Sequence, residues 1–170
     1  MKTYIYYLKS PIGVIRITAN ENHILSVSFS KNMNKNKNNR KYPSHVRLCV
    51  KQLKEYLTGK RKDFNLPIKI EGTTFQKKVW CALEKIPHGS TTTYGLIAKT
   101  IGNPNAFRAV GGACNKNKFL ILVPCHRVVG ASKKIGGFRP GVMLKKWLLN
   151  HESTAFNCIR KFKIENPGQI

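Results

Sequence analysis

Pro124-Cys125-His126-Arg127-Val128-Val129 sets a thiol beside an imidazole directly after the apolar run Phe119-Leu120-Ile121-Leu122-Val123. The run reads as a strand, and a strand opening into a loop can hold one side chain rigidly yet leave it reachable. A free cysteine titrates near pH ~8.5, so only a few per cent is thiolate at neutral pH. Histidine, directly or through a water, is the usual group that changes this. Residue types so placed are those a nucleophile and its base would use, although the pair alone is weak evidence for such chemistry. Cysteine is also among the residues most often buried as a small hydrophobe, so the pair alone also describes core packing, and its context has to decide.

The elements that must position the pair can be read in outline. Residues 3–8, 12–19 and 24–29 are rich in β-branched and aromatic residues, separated by Ser10-Pro11 and Asn20-Glu21-Asn22; they read as a small antiparallel sheet. The Lys/Asn-rich stretch 30–43 reads as a surface loop or a basic arm. Val46, Cys49, Val50, Leu53 and Leu57 make one apolar helix face ended by Gly59, which places Cys49 in the core. Thr73-x-x-Gln76 has the form of a capping box. Phe75, Val79, Ala82, Leu83 and Ile86 follow it at helical spacing up to Pro87 and Gly89, with Cys81 off the stripe and expected to be packed. Two short helices, about 92–101 and 104–115, join through Gly102-Asn103-Pro104, with Asn103 as N-cap and Pro104 in the first turn. This is the outline of a helix-turn-helix. Leu144, Trp147, Leu148 and His151 mark a last helix reaching Glu152, with His151 on its surface.

Composition narrows the partners. Among 170 residues, 31 Lys and Arg face 7 acidic groups, a formal charge of +24, which calls for a polyanion: nucleic acid or an anionic membrane surface. The five cysteines, Cys49, Cys81, Cys114, Cys125 and Cys158, contain no C-x-x-C pair and form no disulfide framework, so a reducing compartment is expected. His23, His45, His88, His126 and His151 have no ligand spacing with them, so no metal is expected. The opening Met-Lys-Thr-Tyr-Ile-Tyr-Tyr reads as neither signal peptide nor membrane span.

The motif run carries a resemblance. Pro124-Cys125-His126-Arg127-Val128-Val129 is similar to the active-site signature of the methylated-DNA–protein-cysteine methyltransferases, which repair 6-O-alkylguanine. Phe75-Gln76-Lys77-Lys78-Val79-Trp80, Ile86-Pro87-His88-Gly89, Thr93-Tyr94, Gly102-Asn103-Pro104, Arg108-Ala109-Val110-Gly111-Gly112-Ala113, Asn117 and Lys146-Trp147-Leu148-Leu149-Asn150-His151-Glu152 resemble that family's motifs in its order. They span Phe75 to Glu152, about half the chain. The resemblance thins to Ser10-Pro11-Ile12-Gly13 and the surrounding strands in the first 70 or so residues.

The resemblance implies a fold of two lobes, α+β overall. Residues 1–70 would form a small ribonuclease-H-like sheet-plus-helix lobe. Residues 71–152 would form a mostly helical lobe bearing the helix-turn-helix and the Cys turn, with 153–170 a basic tail. It also implies roles. Cys125 would take the alkyl group, His126 would act as its base through a water, and Glu152 would orient the imidazole. Asn117 would brace the turn, and Tyr94 would protonate the departing guanine and crowd the 3′ phosphate. Arg108 would fill the gap left by the rotated nucleotide, while Ala109, Gly111, Gly112, Ala113 and Cys114 would let the second helix approach DNA. Val128, Phe138, Arg139 and Pro140 would line the base pocket. The partner would be double-stranded DNA containing alkylated guanine. No cofactor is implied, and a monomer in the cytoplasm (the nucleus in a eukaryote) is expected. Phe138-Arg139-Pro140-Gly141 departs from the family pattern of an aromatic, a small residue and two glycines, and suggests a narrower or more cationic pocket. Two other readings stay open: a non-catalytic lesion-binding or regulatory helix-turn-helix protein, and a cysteine hydrolase.

Overall fold

The computed structural model describes residues 2–32, 41–132 and 134–164, with side chains placed as far as Ser153. Residues 33–40 of the Lys/Asn-rich stretch, and Cys158 with the side chains around it in the tail, lie outside the described residues.

Alternation of apolar and polar residues builds the first lobe. Strands β1 (Tyr4–Ser10), β2 (Gly13–Ala19) and β3 (Ile24–Ser30) form an antiparallel sheet in the order β1-β2-β3. Tyr4 pairs with Ala19 and Leu8 with Ile15. The inward residues Tyr4, Leu8, Ile15, Ile17, Ala19, Ile24 and Val27 are buried. Helix α1 (Ser44–Leu57) covers the sheet with Val46, Cys49, Val50, Leu53 and Tyr56. It ends as Gly59, at φ +73°, lets Lys60 donate to the Glu55 carbonyl and Gly59 to that of Tyr56, a Schellman closure.

The outer edge of β3 joins this lobe to the second. Ile24 donates to the Pro67 carbonyl and receives Lys69 N–H, while Val27 donates to Lys118 and receives Leu120 N–H. The linker and the segment leading to Cys125 thus complete one strand edge between them. Gln52, buried in α1, pins the linker by donating to the Asn65 carbonyl and accepting from Asn65 N–H.

The second lobe follows the helical spacing. Helix α2 (Thr74–Glu84) carries the full capping box of Thr73 and Gln76. It stops at Glu84, since Ile86 precedes a proline and is disfavoured in the helical region. Strand β4 (Thr92–Thr93) leads into α3 (Tyr94–Thr100), capped by the Thr93 hydroxyl, and α4 (Phe107–Asn115) follows. Residues 125–127 form a single 3₁₀ turn, β5 (Val128–Val129) pairs parallel to β4, and α5 (Val142–Ile164) completes the fold. The two-lobed α+β expectation is borne out.

Four local expectations are corrected. Residues 119–123 form no strand. Phe119 makes one bridge to Val27; the chain then winds into a turn with Ile121 at φ +72° and Val123 N–H on the Phe119 carbonyl. Asn103 does not cap α4, which begins at Phe107. Instead Asn103 N–H reaches back to Ala98 and Gly102 N–H to Lys99, a Schellman motif ending α3. Cys81 is exposed, consistent with its place off the apolar stripe of α2. His151 is half-buried, stacked on Trp147 and donating to the Tyr56 carbonyl at 2.7 Å.

Trp80 Nε1 donates to the Ala113 carbonyl at 2.9 Å inside the core, tying α2 to α4. Trp80→Phe should lower stability by about 1–3 kcal/mol through the lost bond and the cavity left, measured as a lower denaturant midpoint; an unchanged midpoint would remove this tie from the account.

Candidate active site

The Cys turn is shaped by one amide. Asn117 Oδ1 accepts the Phe119 N–H at 2.8 Å, and its Nδ2 donates to the Val123 carbonyl at 2.8 Å and to Cys125 Sγ at 3.2 Å. A side chain eight residues upstream therefore sets both the winding of 119–123 and the position of the sulfur. Cys125 is 4% exposed.

Behind the thiol, a buried carboxylate gathers five hydrogen bonds. Glu152 Oε1 accepts from His126 Nε2, Tyr56 OH and Arg127 Nη2 at 2.8, 2.8 and 2.9 Å. Its Oε2 accepts from Arg127 Nε at 2.9 Å and Gly89 N–H at 3.1 Å. Arg127 Nη1 donates to the Ile86 carbonyl at 2.6 Å, so this buried guanidinium is satisfied on both sides. Burial alone would raise the Glu152 pKa, but the bonds from His126 and Arg127 outweigh it and hold the carboxyl well below its ordinary range.

The ionisation states follow. Burial lowers the His126 pKa against the opposing pull of Glu152, so the imidazole is neutral near pH 7. A carboxylate only accepts, so the ring proton sits on Nε2 and Nδ1 carries the lone pair. That Nδ1 is buried with no protein partner among the described residues. Burial likewise raises the Cys125 thiol, only partly offset by Asn117 and the Lys145 ammonium, so it rests protonated and needs a base.

Lys145 is a second buried cation, after Arg127. It is 0% exposed, with Nζ 3.5 Å from the Gly136 carbonyl and 5.9 Å from the Tyr94 ring centroid. Burial lowers its pKa while Cys125 and Cys114 support its charge. Pairing of β4 with β5 sets Thr92 and Thr93 against Val128 and Val129, which delivers Tyr94 beside the Cys turn. The Tyr94 ring is half-buried, between Gly111 and Gly136. A cavity of about 320 Å³ opens between Tyr94, Phe107, Arg108, Gly111, Asn115 and Gly137.

Most residues read from the sequence meet here. Cys125, His126, Glu152 and Asn117 form one connected group, with Tyr94 at its edge. Arg108, Ala109 and Gly112 are exposed on α4 and Gly111 is partly so, but Ala113 is buried and faces α2, away from any groove, and Cys114 is half-buried. The Val128 side chain is buried. Phe138 is half-buried and Pro140 intermediate, while the exposed Arg139 extends Nη1 to the Asn115 carbonyl at 3.4 Å. Arg127, Tyr56, Gly89 and Lys145 were not singled out from sequence. The one available signal was the register of α5, where 145, 148 and 152 share a face. Among the described residues, no group of three or more His, Cys, Asp or Glu is placed to hold a metal, and no helix is long and apolar enough to cross a membrane.

Comparison with known proteins agrees with this geometry. Residues 3–70 match the family model for the ribonuclease-like domain of 6-O-methylguanine DNA methyltransferase, and residues 74–154 match that for its DNA-binding domain. The Methanosarcina acetivorans methylated-DNA–protein-cysteine methyltransferase is 43% identical over 154 residues, 89% of this chain and 99% of that protein. The Mycobacterium tuberculosis O6-methylguanine methyltransferase structure superposes with a TM-score of 0.80 at 35% identity, covering 91% and 94% of the two chains. A structure of M. tuberculosis OGT in complex with DNA superposes at 0.79 and 36%, covering 88% and 92%.

The buried relay fixes a pH dependence. A carboxyl depressed by folding binds fewer protons folded than unfolded; its stabilisation is present above the unfolded value of ~4.3 and lost as pH falls towards the lower folded value. The depressed His126 adds a loss that begins as pH falls below ~6.5. Stability from denaturant titration should therefore decline below pH ~6.5 and more steeply below ~4.3. Glu152→Gln, which strands Arg127, should remove about 3–5 kcal/mol at neutral pH and flatten the steeper acid limb; an unchanged limb would show that another carboxyl is responsible.

Proposed function

Because the chain belongs to the 6-O-methylguanine DNA methyltransferase family, we propose that it repairs DNA by transferring the alkyl group of 6-O-alkylguanine directly to Cys125. The observation that carries the assignment is the Asn117-clamped thiol beside a neutral imidazole whose other nitrogen is locked onto a buried carboxylate. The protein acts as a methylated-DNA–protein-cysteine S-methyltransferase on double-stranded DNA. Each molecule turns over once, because water does not readily reverse a thioether.

The chemistry divides among residues as follows. Nδ1 of His126, through one water, takes the Cys125 proton, and Glu152 stabilises the imidazolium that forms. The Lys145 ammonium and the Asn117 amide favour the thiolate. Sulfur attacks the alkyl carbon, the S–C bond forms as the C–O bond breaks, and the electron pair stays on the guanine 6-oxygen. Tyr94, its pKa raised by burial and by the nearby thiols, keeps its proton at neutral pH and donates towards the departing base. An alkyl carbon inside a duplex cannot lie in line with this sulfur, so the nucleotide leaves the stack and Arg108 takes its place. The carbonyls of Cys125 and Val128 accept from the guanine amino group; that of Cys125 already receives the Val128 N–H and offers its second lone pair. Residues 1–70 support the site, 71–152 carry the chemistry and DNA contacts, and 153–170 add a basic tail. The protein works as a monomer in the DNA-containing cytoplasm, or in the nucleus of a eukaryote, where the thiol stays reduced.

Mixed with an equimolar duplex carrying one 6-O-methylguanine, the intact protein should gain the mass of one methylene, mapped to Cys125 and absent in Cys125→Ser. Tight binding with no mass gain would instead make it a lesion sensor. Arg139, bridging to the end of α4, narrows access for large groups. Methyl transfer should therefore outpace benzyl transfer, with Arg139→Ala reducing the difference; equal wild-type rates would refute a restrictive loop.

A further inference from the structure

Phe107, the first residue of α4, is 47% exposed; Leu96, Val142 and Met143 are also exposed on this lobe, but among these described residues Phe107 alone is aromatic. A single exposed aromatic is ordinary, but two placements set this one apart. Its ring lines the cavity that also meets Tyr94, Arg108, Gly111, Asn115 and Gly137. The Arg108 guanidinium also rests over it, with Cζ 5.5 Å from the ring centroid. Phe107 and Gly111 lie four residues apart, on one helix face. With no side chain at Gly111, the space between Phe107 and Tyr94 stays open; a Cβ there would already come within 3.9 Å of the Tyr94 ring. The result is a slot with an aromatic wall on either side and glycine for a floor. It lies at the mouth of the site, and its lining does not include Cys125.

We propose that Phe107 is a stacking wall for the extruded nucleotide, exchanging the Arg108 guanidinium for a nucleobase face as repair begins. In the free protein, the cation covers the ring and holds Arg108 at the entrance. When Arg108 enters the duplex, the ring face is released at the moment a base arrives without its stacking partners. Stacking on an aromatic face is tolerant of base identity, so the wall holds any extruded nucleotide while the inner pocket tests for alkylation. Phe107 thereby acts on the extrusion equilibrium and not on the transfer step. The inference rests on the repair function proposed above and adds a specific residue to it.

The experiment measures extrusion and transfer separately. Extrusion is read in a Cys125→Ser background from the fluorescence of 2-aminopurine placed next to 6-O-methylguanine in a duplex. Transfer is read as the ratio of single-turnover rates on that lesion duplex and on free 6-O-benzylguanine, which needs no extrusion. Phe107→Ala should lower both the extrusion constant and the duplex-to-free-base ratio by about tenfold, of the order expected for one lost aromatic stack. Phe107→Trp should restore both, and Phe107→Leu, which keeps bulk without a π face, should recover only part. An unchanged ratio and extrusion constant in Phe107→Ala, or full recovery by leucine, would overturn the stacking role. Equal slowing on duplex and free base would place Phe107 in the inner pocket and overturn it too. Failure of the repair function is distinguishable, since the wild-type protein would then gain no alkyl mass while extrusion could still be measured.

Discussion

The carboxylate of Glu152 is the constraint around which this molecule is assembled. A charge taken out of water is tolerated only where opposite charge and hydrogen bonds replace its hydration, and Glu152 draws them from three segments. Tyr56 comes from α1, Gly89 from the turn after α2, and His126 and Arg127 from the Cys turn. None of these segments can shift without stranding a buried polar group. Arg127 balances the charge, which leaves His126 free to remain neutral. The same arrangement that makes the core electrically tolerable therefore leaves a base beside the thiol.

A second layer of control runs through the backbone. The edge of β3 is completed by the linker on one side and by Lys118–Leu120 on the other, so the first lobe holds the strand of chain that enters the active site. Asn117 then converts that straight entry into a turn, and the β4–β5 pair aligns Tyr94 with the residues following Cys125. Rigidity of this kind suits a reagent that acts once. The thiol needs a fixed line of attack, and nothing has to reopen for a second cycle. The exposed end of α4 is the contrasting region: Arg108 and Phe107 project there with few partners, as side chains must if they are to exchange contacts with DNA.

The buried lysine adds an electrostatic feature with opposing consequences. Burial weakens the Lys145 ammonium, while the nearby sulfurs favour it. Its charge is best supported when Cys125 is ionised, so thiolate and ammonium stabilise one another in a site where neither is comfortable alone. Once the sulfur carries an alkyl group, that mutual support is gone.

Much of the architecture was legible from one sequence because it depends on local rules. Alternating residues marked the three strands, the apolar stripe of α1 and its closing glycine set that helix, and Thr73 with Gln76 announced α2. The motif run identified Cys125, His126, Asn117, Tyr94 and Glu152 through resemblance. What only the tertiary structure decided were the features that arise when distant segments share one charge or one strand edge. Periodicity placed the apolar stripe of α5 on Leu144, Trp147 and Leu148, whereas its buried seam is Lys145, Leu148 and Glu152. A polar residue reads as outward-facing until its partners are known. The apolar run 119–123 had the composition of a strand and became a turn because the Asn117 amide, not a neighbouring strand, takes up its backbone groups. Arg127 sat in plain view within the motif, and its role as counter-charge to Glu152 waited on the fold that buried both.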